Sequence, residues 1–258
     1  MRKKDSIYVK CPDGFINQLR LGLAIDYLME HDIIKTGVQE WVINNHNIVA
    51  YDKFFLPLPH IQFRKITNQE EKENQIVTTC SFQWLVEKYG EPKKILKYSS
   101  HKIKAMPFVE NVVNNFIRVN NIKDCLGVHI RTGCKTALLS QESNRNKPVS
   151  HKAIIDILKQ RSEQIYLATD NAQTQSKFLD IFKERIICFD LLYDGLENFQ
   201  GEYDRHKVKR YTNDWHVIMD FFTLQHCKKF IGSNESSFSI MIKWLRDNNS
   251  DLFAKGVI

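Results

Sequence analysis

Long apolar runs are missing from this chain. No stretch approaches the ~18 consecutive apolar residues of a membrane span, and the basic start Met1-Arg2-Lys3-Lys4 leads only into Ile7-Tyr8-Val9, too short for a signal-peptide core. The expectation is therefore a soluble, cytoplasmic protein without a membrane span. Cysteine is sparse. Its six positions (Cys11, Cys80, Cys125, Cys134, Cys188, Cys227) show no C-x-x-C spacing, which argues against a zinc ribbon or a disulfide scaffold. There is no acidic D-x-D motif to bind a metal, no internal repeat and no low-complexity tract. Lysine and arginine number 37 against 30 acidic residues, giving a formal charge of +7, but the excess is scattered. An anionic small molecule fits that balance. The basic helix and interleaved aromatics of a nucleic-acid binder are lacking, so no nucleic-acid partner is expected.

What the sequence does have is alternation. In the second half, strand-like runs (Leu126–Ile130, residues 165–168, 186–189 and 230–232) alternate with helical patterns (150–161, 172–184, Asp214–His226 and 236–246). This implies an α/β fold with a parallel sheet between helices. The last helix is apolar nearly all round and is expected to be wedged between layers. The first half is less regular: a strand at 7–10, a turn, a helix at 18–30 and another at 107–118. Residues 67–75, rich in glutamate and asparagine, read as an exposed loop. Residues 140–147 and 194–213 read as long turn-rich loops, candidates for substrate contact. A break near residues 118–122 would divide the chain into domains 1–120 and 121–258, with the last helix able to pack back on the first.

Two turns carry the chemistry. Gly127-Val128-His129-Ile130-Arg131-Thr132-Gly133 is a buried strand ending in a lone arginine, and Lys229 through Phe238 is a strand leading through Gly232-Ser233-Asn234-Glu235-Ser236-Ser237 into a helix. At the carboxyl ends of strands, where α/β sheets bind ligands, these turns offer a guanidinium, hydroxyls and free helix N–H groups. That combination suits a diphosphate. Arginine stays charged and forks onto phosphate oxygens.

These segments resemble the motifs of the fucosyltransferase superfamily that includes the protein O-fucosyltransferases. His129-Ile130-Arg131 resembles its H-x-R motif, and Ile165-Tyr166-Leu167-Ala168-Thr169-Asp170 its strand ending in A-T-D. The third motif is matched by Phe230-Ile231-Gly232-Ser233 through Ser236-Ser237-Phe238 to Arg246-Asp247, and Gly14-Phe15-Ile16-Asn17-Gln18 resembles the family's amino-terminal turn. The four matches keep the family's order and span residues 8 to 247. The resemblance implies a GT-B fold, two Rossmann-like domains facing a cleft, and an inverting, metal-independent glycosyltransferase with GDP-fucose as donor substrate and no other cofactor. The acceptor would be a glycan or protein hydroxyl. Another nucleotide sugar, or a non-catalytic relative that only binds nucleotide or glycan, is the alternative.

Residue by residue, the resemblance gives Arg131 the donor diphosphate and help for the departing nucleotide. Ser236, Ser237 and Phe238 would grip phosphate and nucleoside, and Asp220 would bind the guanine edge. Phe15 and Asn17 would wall the donor site, with His129 beside the arginine. Asp13 stands where some members place a base for the acceptor hydroxyl. Each residue also has a plainer reading. Arg131 can be a solvated strand end, and Ser236 and Ser237 ordinary helix caps. Asp220 can be held by a structural hydrogen bond, and His129 can be a satisfied core histidine. Asp170 can cap the helix that follows it, and Asp13 can serve its turn alone.

Overall fold

Leu126–Ile130 and Ile165–Thr169 are buried at every position. A strand with no solvent-exposed face fits a parallel sheet covered on both sides. A computed structural model of the chain describes residues 6–11, 15–41, 54–74, 76–77, 88–89, 100–131, 151–189, 202–203, 208–209, 214–233, 236–246 and 252–254. The chain divides into two compact units, Met1–Glu110 and Asn111–Ile258. No helix among the described residues is long and apolar enough to cross a membrane.

The first unit holds strands β1 (Ser6–Cys11), β2 (Thr36–Trp41), β3 (Gln62–Phe63) and β4 (Ile76–Val77), all parallel, in the order β3-β2-β1-β4. Helix α1 (Phe15–Glu30) links β1 to β2 and buries Leu19, Leu21, Leu23, Ile25 and Leu28. It also buries Asp26 completely, and an unpaired carboxylate there would be costly. Asp26 instead accepts from the backbone N–H groups of His60 (2.8 Å) and Ile61 (3.3 Å) and from Lys102 Nζ (2.9 Å), which also reaches Glu30 at 2.7 Å. The group ties two further stretches of chain, at His60–Ile61 and at Lys102, to α1.

The expected loop at 67–75 contains a short helix, α2 (Asn68–Glu73). Thr67 Oγ1 accepts from the Glu70 N–H while the Glu70 carboxylate accepts from the Thr67 N–H, a reciprocal cap that satisfies two otherwise orphaned donors. Its exposure is as expected, since α2 buries no residue. Helix α1 starts three residues before the expected position, and β2, β3 and β4 are additions to the expected plan. The strands are short and, in β2, carry polar residues that periodicity alone does not flag.

The second unit is built on β5 (Leu126–Ile130), β6 (Ile165–Thr169), β7 (Ile186–Ile187), β10 (Lys229–Ser233) and β11 (Leu252–Ala254), parallel throughout, in the order β11-β10-β5-β6-β7. A small antiparallel pair, β8 (Glu202–Tyr203) with β9 (Val208–Lys209), interrupts the expected loop at 194–213. Helix α3 (Pro107–Val119) spans the division between the units. Helices α4 (His151–Lys159) and α5 (Ala172–Phe182) cover one face, where Val128, Ile130, Leu167, Leu158 and Phe178 share a core. Helices α6 (Asp214–His226) and α7 (Ser237–Arg246) lie on the opposite face. There Gly127 abuts α6, and His129 and Tyr166 carry the polar contacts.

Helix α7 fully buries Ser239, Met241 and Ile242, while Phe238, Trp244 and Leu245 are half-buried and Lys243 is exposed. The expectation of a helix enclosed on every side is thus corrected: it packs on α6 and β10. Arg246, the end of the third motif, donates from one nitrogen to the carbonyls of Leu224 (3.1 Å), Gln225 (3.0 Å) and Cys227 (2.5 Å). These are orphan carbonyls at the carboxyl end of α6, where a cation is favourable. Through these contacts the motif residue serves the fold.

Candidate functional site

From β5 the chain passes through α4 to β6 and on to β7 on one side of the sheet, while β10 and β11 lie on the other side of β5. The connections diverge between β5 and β10, and such a divergence opens a crevice beyond the carboxyl ends of the strands. Arg131 follows the last residue of β5, and Ser236–Phe238 opens the helix after β10. Residues 132–150, 234 and 235, which complete the two turns and contain the expected loop at 140–147, lie outside the described residues.

Ser236 is buried, and its carbonyl accepts the first helical hydrogen bond from the Ile240 N–H at 2.9 Å. It therefore occupies the N-cap position of α7. A capping serine would turn its hydroxyl to an N–H of the first turn, yet Ser236 Oγ is buried with no hydrogen-bond partner among the described residues. The plain capping reading of Ser236 does not hold. A buried hydroxyl with no partner beside the free N–H groups of a ten-residue helix is the arrangement an anion would complete. Ser237 is the first residue of α7 and is half-buried.

His129 is buried, and its Nδ1 lies 2.7 Å from Ser239 Oγ. The Phe238 ring sits 4.6 Å from the imidazole, tilted by 32°, and meets Phe221 edge-on at 5.9 Å. Burial pushes the His129 pKa down to about 4, helped by the Arg131 charge and opposed by the Asp170 carboxylate. The imidazole is neutral at physiological pH, so Arg131 carries the positive charge at the end of β5. Gly232 makes the Ser239 contact possible: a Cβ there would lie 2.7 Å from Ser239 Oγ and from the Phe230 ring.

Asp220, half-buried on α6, accepts a hydrogen bond from the Tyr166 hydroxyl at 2.6 Å. Burial raises its pKa to about 7, against the Tyr166 hydrogen bond, which favours the ionised form. The structural hydrogen bond and a binding role are compatible, because the carboxylate has a second oxygen. Asp170 does not cap α5. Asn171 does, accepting from the Thr174 N–H at 2.8 Å.

Of the amino-terminal set, Asp13 lies outside the described residues. Phe15 opens α1, and Asn17 sits half-buried in its first turn. The described residues of the second unit thus bring Arg131, His129, Ser236, Ser237 and Phe238 to two neighbouring turns, with Asp220 on the helix of the same face. Sequence reasoning missed Ser239 and Tyr166. Ser239 follows Ser236 by one helical turn. Tyr166 is the hydroxyl-bearing ring in a buried strand, where a phenol needs a partner. Among the described residues no cluster of histidine, cysteine or carboxylate side chains could hold a metal ion.

No protein-family model and no curated protein matches the sequence. Solved structures do match the fold. The fucosyltransferase NodZ from Bradyrhizobium is 13% identical, with 93% of this chain and 92% of that chain covered at a TM-score of 0.54. POFUT1 in complex with GDP is 12% identical over 97% of this chain and 98% of that chain, TM-score 0.60. POFUT1 in complex with GDP-fucose is 12% identical over 96% and 98%, TM-score 0.59. The mixed α/β architecture is that of these GT-B fucosyltransferases.

Proposed function

We propose that the chain is a glycosyltransferase that moves fucose from GDP-fucose to a hydroxyl of a glycan or protein, with inversion and without a metal. The observation that carries this reading is the placement of Arg131 next to the unpartnered Ser236 hydroxyl and the α7 amino terminus, on adjacent strands at the switch point of a fold shared with GDP- and GDP-fucose-bound structures. The acceptor oxygen attacks C1 of the sugar as the C1–O bond to the β-phosphate breaks, and GDP leaves. Arg131 and the helix N–H groups stabilise the charge that grows on the leaving phosphate, where fixed, partly desolvated donors act most strongly. Phe238 packs the nucleoside and Asp220 accepts from the guanine edge, and the resemblance assigns Phe15 and Asn17 to the donor as well. Asp13 takes the acceptor's proton.

The test is calorimetry with GDP, UDP and ADP, followed by sugar release from GDP-fucose with and without EDTA. GDP is expected to bind in preference to the other two and to stabilise the protein by about 2.7 kcal/mol at a hundredfold excess over its Kd. Transfer is expected to be indifferent to EDTA. Preference for UDP would move the reading to another nucleotide sugar. No nucleotide binding would leave a non-catalytic relative, and activity lost to EDTA and restored by manganese would overturn the metal-free mechanism.

A further inference from the structure

Tyr166 has a place in the site that its position in a core strand conceals. The ring is completely buried on β6, held edge-on by Phe116 (5.9 Å) and Phe189 (6.1 Å), which stack on each other at 4.0 Å. That packing leaves the ring little freedom, so the hydroxyl is delivered to one point. It donates to Asp220 Oδ1 at 2.6 Å, a length typical of a hydroxyl bonded to a carboxylate. Among the described residues no hydrogen bond reaches Asp220 Oδ2, and that oxygen is not among the buried unpartnered atoms. One carboxylate oxygen is thus anchored to the sheet while the other stays accessible.

We infer that Tyr166 is a positioning residue for base recognition: it fixes the Asp220 carboxylate so that its accessible edge accepts the adjacent N–H donors of a guanine and rejects an adenine. The inference rests on the proposed GDP site. A guanine edge presents a ring N–H beside an exocyclic amine, a pair that a carboxylate can accept together. Adenine presents an unprotonated ring nitrogen at the corresponding place, and a fixed anion facing it gains nothing. A site whose polar group is left unpaired by the wrong ligand discriminates strongly.

The electrostatics agree with the geometry. Burial, the nearby Asp220 charge and the hydrogen bond hold the Tyr166 hydroxyl protonated well above its ordinary range, so it remains a donor. The same hydrogen bond favours ionised Asp220 against a burial that pushes its titration to about 7. Tyr166 is the titratable group that faces Asp220 from the sheet, and Cys227, just after α6, lies nearby on the Tyr166 side. Guanine binding needs the ionised form, so affinity is lost as pH falls through about 7. Without Tyr166 that loss begins at higher pH.

The experiment is titration of GDP and ADP into the full chain, as wild type, Tyr166→Phe, Asp220→Asn and the double variant, from about pH 6 to about pH 9 to bracket the Asp220 titration. Comparing variants on one ligand cancels the ligand's own protonation. Phenylalanine keeps the ring packing and removes only the hydroxyl. Tyr166→Phe is expected to weaken GDP about tenfold at neutral pH, the scale of one hydrogen bond to a charged group. It should shift the pH profile upward, narrow the preference for GDP over ADP, and add nothing further once Asp220 is asparagine. A purely structural role would lower thermal stability and leave the pH profile and base preference in place, which overturns the inference. If Asp220→Asn loses GDP while Tyr166→Phe binds like wild type, Tyr166 has no such role and the GDP site stands. If the wild type does not bind GDP, the site reading itself fails and the inference falls with it.

Discussion

Replacing Gly232 by alanine tests whether the two sides of the candidate site are one packed unit. A Cβ at Gly232 would lie 2.7 Å from Ser239 Oγ and 2.7 and 2.8 Å from two carbons of the Phe230 ring, closer than real Cβ contacts come. Ser239 cannot yield without lengthening its 2.7 Å contact to His129, and Phe230 is completely buried. Overpacking of this kind costs about 1–3 kcal/mol. Stripping a buried imidazole of its partner costs a further ~1–3 kcal/mol. We expect about 2–6 kcal/mol, concentrated around β5, β10 and α7. A single global midpoint would average two compact units, so hydrogen exchange of peptides covering those elements is the suitable assay. Even about 2 kcal/mol, the low end of that range, corresponds to about thirtyfold faster exchange. In a Ser239→Ala background one clash and the His129 hydrogen bond are already gone, so the same glycine change should cost less, with a coupling of about 0.5–3 kcal/mol. Gly232→Ala exchanging like wild type, or two substitutions adding without coupling, would refute the packing argument.

At Arg131, lysine should be nearly as damaging as alanine, because a point charge cannot reproduce a forked contact with a departing phosphate. A loss of about a hundredfold or more in turnover is expected, and a lysine variant that keeps most of its turnover would remove Arg131 from that role. Asp13→Asn should reduce transfer by ~10²–10⁴-fold while GDP affinity and stability stay near wild type, since the amide can make the turn's own hydrogen bond. Unchanged transfer would leave Asp13 a turn residue, and weakened GDP binding would assign it to the donor pocket.

The parts of the fold legible from sequence were those whose signal is local and redundant. Leu126–Ile130 is apolar at nearly every position and followed by polar residues. Asp214–His226 combines an acidic start with a long apolar pattern, and both elements have the expected bounds. Strands β3, β4 and β7 have two residues each and owe their existence to neighbours, so no window of sequence announces them. Helix α2 was legible in principle, because Thr67-x-x-Glu70 is a capping box, but composition drew the eye to polarity and away from the cap. The capping of α5 by Asn171, next to the expected Asp170, shows the usual imprecision of one residue at a helix start.

The candidate site was legible for a different reason from the fold. Arg131, Asp220 and Ser236 fall far apart in sequence, and no local pattern requires them to meet. What brings two of them to one crevice is strand order: β10, about a hundred residues after β5, pairs with it at Phe230↔Gly127 and Ile231↔Val128, while β6 takes the other side. Closing so long a loop costs only slightly more than closing a short one, because the entropy grows with the logarithm of length. Strand order is therefore settled by packing, and residue-level reasoning cannot derive it from β5 or β10 alone. The motifs carried it indirectly, through their order along the chain. The contacts that the motifs did not name, Ser239 on His129 and Tyr166 on Asp220, are set by the faces on which side chains fall once that order exists. Alternation along β5 and β6 puts Gly127, His129 and Tyr166 on the α6–α7 side and Leu126, Val128, Ile130, Ile165 and Leu167 on the other. His129 and Tyr166 thus fall toward the helix that carries Asp220 and the helix that follows Ser236.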